Sequence, residues 1–299
     1  MTTLTVLSGA NGFLGSRIKF ALNQERSNYY CLGRVSTATA LEEIRNINFF
    51  IKQKKIFKKI NLIHLAGITE HSKIHLNEEQ FVKDSIDICN GILQIKSSLE
   101  LPITTVLPSS GKVYGSSSYS ISEESKLNPK NILGETKLVI ESVFRENQLK
   151  YESLIIARIF NVYGPNQKMN FLVPTIIKQL LDPKETMIKL GNLSDIRDYL
   201  FVDDVVKAIL ILIKHVSLPT EISITNIGSG MGLTAHDIAT KIIRASKIPK
   251  PIISVDYQKR FNETEIEIAD ISKLINLGWG PEVSIDEGLM ECLKSSNRL

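Results

Sequence analysis

The chain is short of several things, and each shortage excludes something. Only three of its 299 residues are cysteine. Cys31, Cys89 and Cys292 are odd in number, far apart and set among apolar neighbours, which argues against a disulfide framework and against cysteine-rich zinc sites. A reducing, cytoplasmic setting is expected, with no metal centre. The net charge of +4 is too small to build a surface for nucleic acid. Long apolar runs are missing too. The longest, Val205 to Val216, is interrupted by Lys207 and Lys214 and falls short of the roughly 20 residues that cross a bilayer. No leader pattern precedes the first apolar segment, which starts almost at once and runs into a glycine turn. No membrane partner is expected.

With 43% hydrophobic residues, the chain can bury one large core or two joined ones. Its strongest signal lies at the start, in Leu4-Thr5-Val6-Leu7-Ser8-Gly9-Ala10-Asn11-Gly12-Phe13-Leu14-Gly15. Thr5 to Leu7 read as a strand, Phe13 to Leu22 as a helix, and three glycines at spacing three fill the turn between them. Such a turn serves a dinucleotide. Gly9 permits the tight bend, Gly12 lets backbone approach a pyrophosphate, and Gly15 lets helix pack close to strand. The helix start then offers N–H groups and a positive dipole end to phosphate. Gly9, Asn11, Gly12, Phe13, Leu14 and Gly15 are thus candidate cofactor residues.

Further along, Tyr29 to Leu32 read as a second strand ending at Gly33-Arg34. An acid at this strand end would bind the ribose hydroxyls of NAD, whereas an arginine suits the 2′-phosphate of NADP. Arg34 stands there, and the first acid after it is Glu42, so NADP is expected, with NAD possible. The lysines between Lys52 and Lys59 alternate with Ile51, Ile56, Phe57 and Ile60, which predicts the solvated face of an amphipathic helix. Asn61 to His64 read as a buried strand leading into Leu65-Ala66-Gly67, further cofactor candidates, with His64 as a satisfied core histidine. Helical periodicity follows over Phe81–Leu99, a strand over Ile103–Leu107, and a helix over Asn131–Gln148 that contains Lys137.

This alternation predicts an α/β fold: a doubly wound parallel (Rossmann) sheet with a smaller mixed α/β substrate-binding portion. The first portion is expected over residues 1–165, with return segments about 196–228. Residues 166–299 are expected to be mainly substrate-binding. Glu221 to Ile227 read as one more strand returning to the sheet.

With these segments assembled, the chain resembles the extended short-chain dehydrogenases/reductases of the NAD-dependent epimerase/dehydratase family, which act on nucleotide sugars. The resemblance rests on the opening turn, His64-Leu65-Ala66, Ser109-Ser110 with Val113-Tyr114-Gly115, and Gly134-Glu135-Thr136-Lys137. It continues through Ala157 to Pro165, Arg197-Asp198-Tyr199, Asn226 to Gly230, and Ala269-Asp270-Ile271 with Gly278-Trp279. It implies hydride exchange between nicotinamide and a nucleotide-diphosphate sugar. Ser110 would hold the sugar oxygen, and Lys137 would lower a tyrosine's pKa and bind the nicotinamide ribose. Asn161, Arg197 and Arg260 would contact the diphosphate.

The tyrosine is missing. Four residues before Lys137 stands Leu133, which cannot move protons. Lys112, two residues after Ser110, is the substitute expected to do so, since a desolvated lysine can serve as acid or base. Tyr114 and Tyr119 are secondary candidates. Gly111 stands where the family's dehydrating branch has an acid, which disfavours dehydration. The leading reading is reduction of a 4-keto (6-deoxy) sugar nucleotide for surface-polysaccharide sugars. Alternatives are a 4-epimerase, a tyrosine-less dehydratase, and a non-catalytic nucleotide-sugar or dinucleotide binder. Ile88, Ile92 and Ile95 with Leu138, Ile140 and Val143 exceed what one sheet face needs, so a homodimer is expected.

Overall fold

The computed structural model describes residues 2–68, 77–117, 119–216, 220–255 and 266–296. Among them the chain runs β1 (Thr3–Ser8), α1 (Phe13–Gln24), β2 (Tyr29–Cys31), α2 (Ala40–Lys54), β3 (Lys59–His64), α3 (Glu78–Ser97) and β4 (Ile103–Ser110). A single 3₁₀ turn, Gly111–Val113, leads on to α4 (Ile132–Glu146), β5 (Glu152–Ile159), β6 (Asn161–Tyr163), α5 (Leu172–Leu181), β7 (Ile188–Leu190) and β8 (Ile196–Phe201). Then come α6 (Val202–Lys214), β9 (Ile222–Ile227), β10 (Gly232–Thr234), α7 (Ala235–Ser246), β11 (Ile252–Ser254), β12 (Ile266–Glu267), α8 (Ser272–Asn276) and α9 (Ile285–Ser296).

Two compact units share this chain. The first comprises Met1–Ser110, Ile132–Arg158 and Val206–Thr225; the second comprises Gly111–Asn131, Ile159–Val205 and Asn226–Leu299. The division differs from the one expected at residue 165. Residues 111–131 fall in the second unit, and the segments returning to the first are 132–158 and 206–225. A strand end can hand the chain from one unit to the other within a residue, and no composition shift marks that place.

The first unit is built on a six-stranded sheet in the order β2-β1-β3-β4-β5-β9. β1 pairs in parallel with both β2 and β3, and β3 with β4. The strand order reverses at β1, so the switch point lies between the carboxyl ends of β1 and β3, where open α/β sheets take their ligands. Successive residues of β1 and β5 are buried, so both faces of those strands are covered. Leu4, Val6, Ile60, Leu62, Leu154 and Ile156 are buried in one core with Ile47 of α2, Ile92 and Ile95 of α3, and Phe144 of α4. This burial also corrects the apolar excess expected on α3 and α4. Ile92, Ile95 and Ile140 are core residues, and Val143 packs against the same core. Only Ile88 and Leu138 stay half-buried outside it, beside Val139, which is 46% exposed.

The lysine run is likewise not one helical face. Lys55 takes a left-handed conformation, φ 52°, and closes α2. The N–H of Lys58 donates to the Thr2 carbonyl, and Lys59 opens β3. Burial of Phe57 and Ile60 in the core requires that break.

In the second unit β8 is central. It pairs antiparallel with β10 and parallel with β12 and β6. The parallel pair β7–β11 forms a separate small sheet. Asp198 of β8 fastens this unit. Its buried carboxylate accepts from the N–H and Oγ of Ser229, the N–H of Gly230 and the N–H of Ala269. Burial raises its pKa against the pull of those hydrogen bonds.

Candidate active site

At the switch point Gly9 and Gly15 each show a steric reason. Gly9 has φ +69°, and a Cβ there would lie 2.6 Å from the Ala66 nitrogen. A Cβ on Gly15 would lie 2.0 Å from the Gly9 carbonyl oxygen, so only glycine lets α1 start this close to β1. The Gly12 N–H donates to the Gly9 carbonyl at 2.9 Å, closing the turn. No side chain caps α1 at Gly12, and no acid lies in its first turn. N–H groups left without a side-chain cap, at the positive end of a helix, beside backbone that approaches as only glycine allows, fit a pyrophosphate. Asn11 lies on this turn, Phe13 and Leu14 open α1, and Leu65, Ala66 and Gly67 follow β3.

Ser8 ties the two strand ends together. Its Oγ accepts from the Ala66 N–H at 3.1 Å and shares a second hydrogen bond with Nδ1 of His64 at 2.8 Å. Burial lowers the His64 pKa to about 3, with help from the charge of Lys137. His64 is therefore a neutral, satisfied core residue stacked on Phe144, as its apolar surroundings predict.

At the end of β2 the structure adds a group that sequence spacing hides. Glu43, on α2, accepts the Gly33 N–H at 3.1 Å. An acid thus stands beside Arg34, whose own carbonyl accepts from the Thr39 hydroxyl at 2.6 Å. The absence of acid read from the sequence holds for the strand end alone.

Ser110 ends β4. Lys137, on α4, donates to the Pro108 carbonyl at 3.1 Å. Desolvation lowers its pKa, opposed by Glu141 one turn on and by Cys89. Glu141 is itself buried. It accepts from Ser109 and takes a two-point contact from Arg158, Nε at 3.0 Å and Nη2 at 2.7 Å. Leu133 sits half-buried in the first turn of α4, one turn before Lys137.

Lys112 belongs to the second unit. Its Nζ lies 2.7 Å from Oε2 of Glu267 on β12, and Nε of Arg197 lies 4.0 Å from the same oxygen. Arg197 also donates to Asp195 at 2.8 Å. Beside them, burial pushes the Tyr199 phenol up to about 12; Arg197 opposes this, while Glu267 and Asp195 add to it. Asn161 donates to the Asp198 carbonyl at 3.1 Å, so its amide braces β8. The secondary tyrosines separate clearly. Tyr114 is buried and donates to Asn226 at 2.7 Å, whereas Tyr119 is 82% exposed. Arg260 lies outside the described residues. Among the described residues no cluster of acids, histidines and cysteines suits a metal ion, and no helix is long and apolar enough to cross a membrane.

Sequence reasoning missed Glu43, Glu141 and Glu267. Glu141 carried a usable signal, its i+4 spacing from Lys137 on one helix face. Glu267 offered only an acid between two isoleucines.

A family model described as the NAD dependent epimerase/dehydratase family matches residues 5–228. Among curated proteins, the chain is 25% identical to a dTDP-D-glucose 4,6-dehydratase of Dictyostelium discoideum, over 95% of this chain and 79% of that protein. It is 23% identical to the CDP-abequose synthase of Salmonella typhimurium, over 97% of each. Among solved structures, RMD from Pseudomonas aeruginosa complexed with NADPH superposes with a TM-score of 0.83 at 22% identity, covering all of both chains. At that identity the superposition establishes the fold.

Proposed function

The chain belongs to the NAD-dependent epimerase/dehydratase family, and on that premise we propose that it is an oxidoreductase acting on a nucleotide-diphosphate sugar, most specifically a reductase of a 4-keto (6-deoxy) sugar nucleotide in surface-polysaccharide sugar biosynthesis. The observation that carries the reading is the switch point, where Gly9 abuts Ala66 and α1 begins without a side-chain cap. Gly9, Asn11, Gly12, Phe13, Leu14 and Gly15 would hold the dinucleotide, with Leu65, Ala66 and Gly67. When bound, the nicotinamide supplies the hydride.

The remaining roles fall to the chain's own groups. Ser110 holds the sugar oxygen by its hydroxyl, and Lys137 holds the nicotinamide ribose. Lys112 gives the proton: its N–H bond breaks as the carbonyl oxygen becomes a hydroxyl, and the resulting amine is reprotonated from solvent. Arg197 suits the diphosphate, because its planar fork meets phosphate oxygens in pairs. Asn161, and Arg260 outside the described residues, complete the proposed substrate contacts.

Arg34 supports NADPH as the reductant. Glu43 at Gly33 favours a second reading, NADH, because a carboxylate there accepts ribose hydroxyls and repels a 2′-phosphate. Leu133 in the tyrosine's place favours a non-catalytic sugar-nucleotide binder as the rival function. The free cysteines suit a cytoplasmic setting, and the thiol of Cys89 is pushed up to about 11 by burial. A homodimer through α3 and α4 rests on the residues outside the core there, Ile88, Leu138 and Val139.

Mass spectrometry of the cofactor and sugar nucleotide that co-purify, followed by loss of reduced-nicotinamide absorbance with NDP-4-ketosugars, tests the reading. Turnover abolished by Lys112→Met at unchanged cofactor affinity, with Lys137→Met weakening both, supports it. Binding of a sugar nucleotide without hydride transfer to any NDP-4-ketosugar or from any NDP-hexose assigns the chain to the binder instead. Light scattering tests the dimer, and a monomer at micromolar concentration refutes it.

A further inference from the structure

Lys112 is met by a carboxylate 155 residues away in sequence, a contact that only the folded chain brings about. β12 runs parallel to β8 with Glu267 opposite Arg197 in register, so the two side chains emerge on the same face. Glu267 is 1% exposed. A buried carboxylate must be paired, and here its Oε2 meets Lys112 at hydrogen-bond distance. The residue preceding Lys112 is cut to fit: a Cβ on Gly111 would lie 3.0 Å from Oε1 of Glu267 and 3.0 Å from the Phe160 ring. Two features, a glycine and a buried acid, thus serve one contact.

We propose that Glu267 is the positioning residue of the reaction, a fixed carboxylate that aims the Lys112 ammonium at the sugar oxygen. The inference rests on the reading of Lys112 given above. Arg197 retains its own partner, Asp195 at 2.8 Å, while its Nε stands 4.0 Å from Glu267. With the Glu267 carboxylate removed, Lys112 loses its 2.7 Å contact, whereas Arg197 keeps Asp195 at 2.8 Å. That asymmetry separates positioning of a proton donor from support of substrate binding.

The test compares Glu267→Gln, Glu267→Asp, Lys112→Met and the Lys112→Met/Glu267→Gln double variant with the wild type, using the NDP-4-ketosugar that the wild type reduces. Glu267→Gln is expected to lower kcat about 100-fold, the scale of general acid–base assistance, with KM for the sugar nucleotide and Kd for the dinucleotide within about twofold. Glu267→Asp should fall between it and the wild type, since the charge returns on a shorter arm. The double variant should be no slower than Lys112→Met, because both changes remove one function. Should Glu267→Gln fail to fold, Glu267→Asp carries the test, with a lowered kcat at constant KM supporting the assignment and an unchanged kcat overturning it. A wild-type kcat in folded Glu267→Gln overturns the inference alone. A raised KM at constant kcat overturns it too, by assigning Glu267 to Arg197. Full activity in Lys112→Met removes both the inference and the role of Lys112, and a wild type without turnover removes the reductase reading with them.

Discussion

Arg158 and Glu141 face each other as a two-point ion pair inside the first unit, both side chains 4% exposed or less. The carboxylate also takes the Ser109 hydroxyl and lies one turn beyond Lys137. Breaking a buried pair leaves a charge without its partner. Arg158→Met is expected to cost about 3–5 kcal/mol of stability, and Glu141→Leu in the same background to return much of that. Urea unfolding of the three proteins measures it; additive losses would show that the two charges are not coupled.

Gly9→Ala should be felt twice. The left-handed backbone costs about 1–2 kcal/mol for any other residue, and the methyl group would meet the Ala66 nitrogen at 2.6 Å. A lowered unfolding temperature with dinucleotide affinity reduced at least tenfold is expected from thermal scans and calorimetry. Retention of full affinity would move the pyrophosphate away from this turn.

Cofactor preference rests on two opposed groups, and each makes a signed prediction. Arg34→Ala should weaken NADPH relative to NADH, and Glu43→Gln should strengthen it, each by about 1–2 kcal/mol, the scale of one charge-assisted hydrogen bond. Titrations with both dinucleotides decide it. A preference that neither substitution moves would exclude both residues from contact with the ribose.

His64 gives the fold an acid limit. Its pKa is lowered by burial from 6.5 to about 3. The unfolded chain therefore binds a proton that the folded chain does not, and stability is fully present above about pH 6.5. It is lost as pH falls toward 3, by up to about 1.4 kcal/mol per pH unit. Denaturant unfolding at pH 7 and pH 5 should show that slope, and His64→Gln should flatten it. An unchanged slope in the variant would assign the acid sensitivity to the carboxylates.

The parts of this molecule that were legible in the sequence are those whose cause is local. Gly9, Gly12 and Gly15 announce their turn because backbone geometry demands them at fixed spacing. β1, β3 and β4 announce themselves because a strand covered on both faces carries a run of mainly apolar residues. The partners that give the candidate site its electrostatics were not legible. Glu43 reaches Gly33 from a helix, and Glu267 meets Lys112 through the register of β12 on β8. Such meetings are set by tertiary packing, which leaves no period in the chain. The lysines from Lys52 to Lys59 misled for a related reason: their charge pattern suits a helix, but burying Phe57 and Ile60 ends it at Lys54. The apolar residues of α3 and α4 misled in the opposite sense, since the core of their own unit takes Ile92, Ile95 and Ile140.

The grip of Asp198 on Ser229, Gly230 and Ala269 has a consequence on a slower clock. These three amides sit in connecting segments, where hydrogen exchange is ordinarily fast. Held by one side chain, they can open only when that carboxylate lets go, so their exchange rates should match one another rather than those of their sequence neighbours. A single release event then sets how long the turn after β9 and the segment after β12 keep their shape, and both would loosen at once when Asp198 takes up a proton.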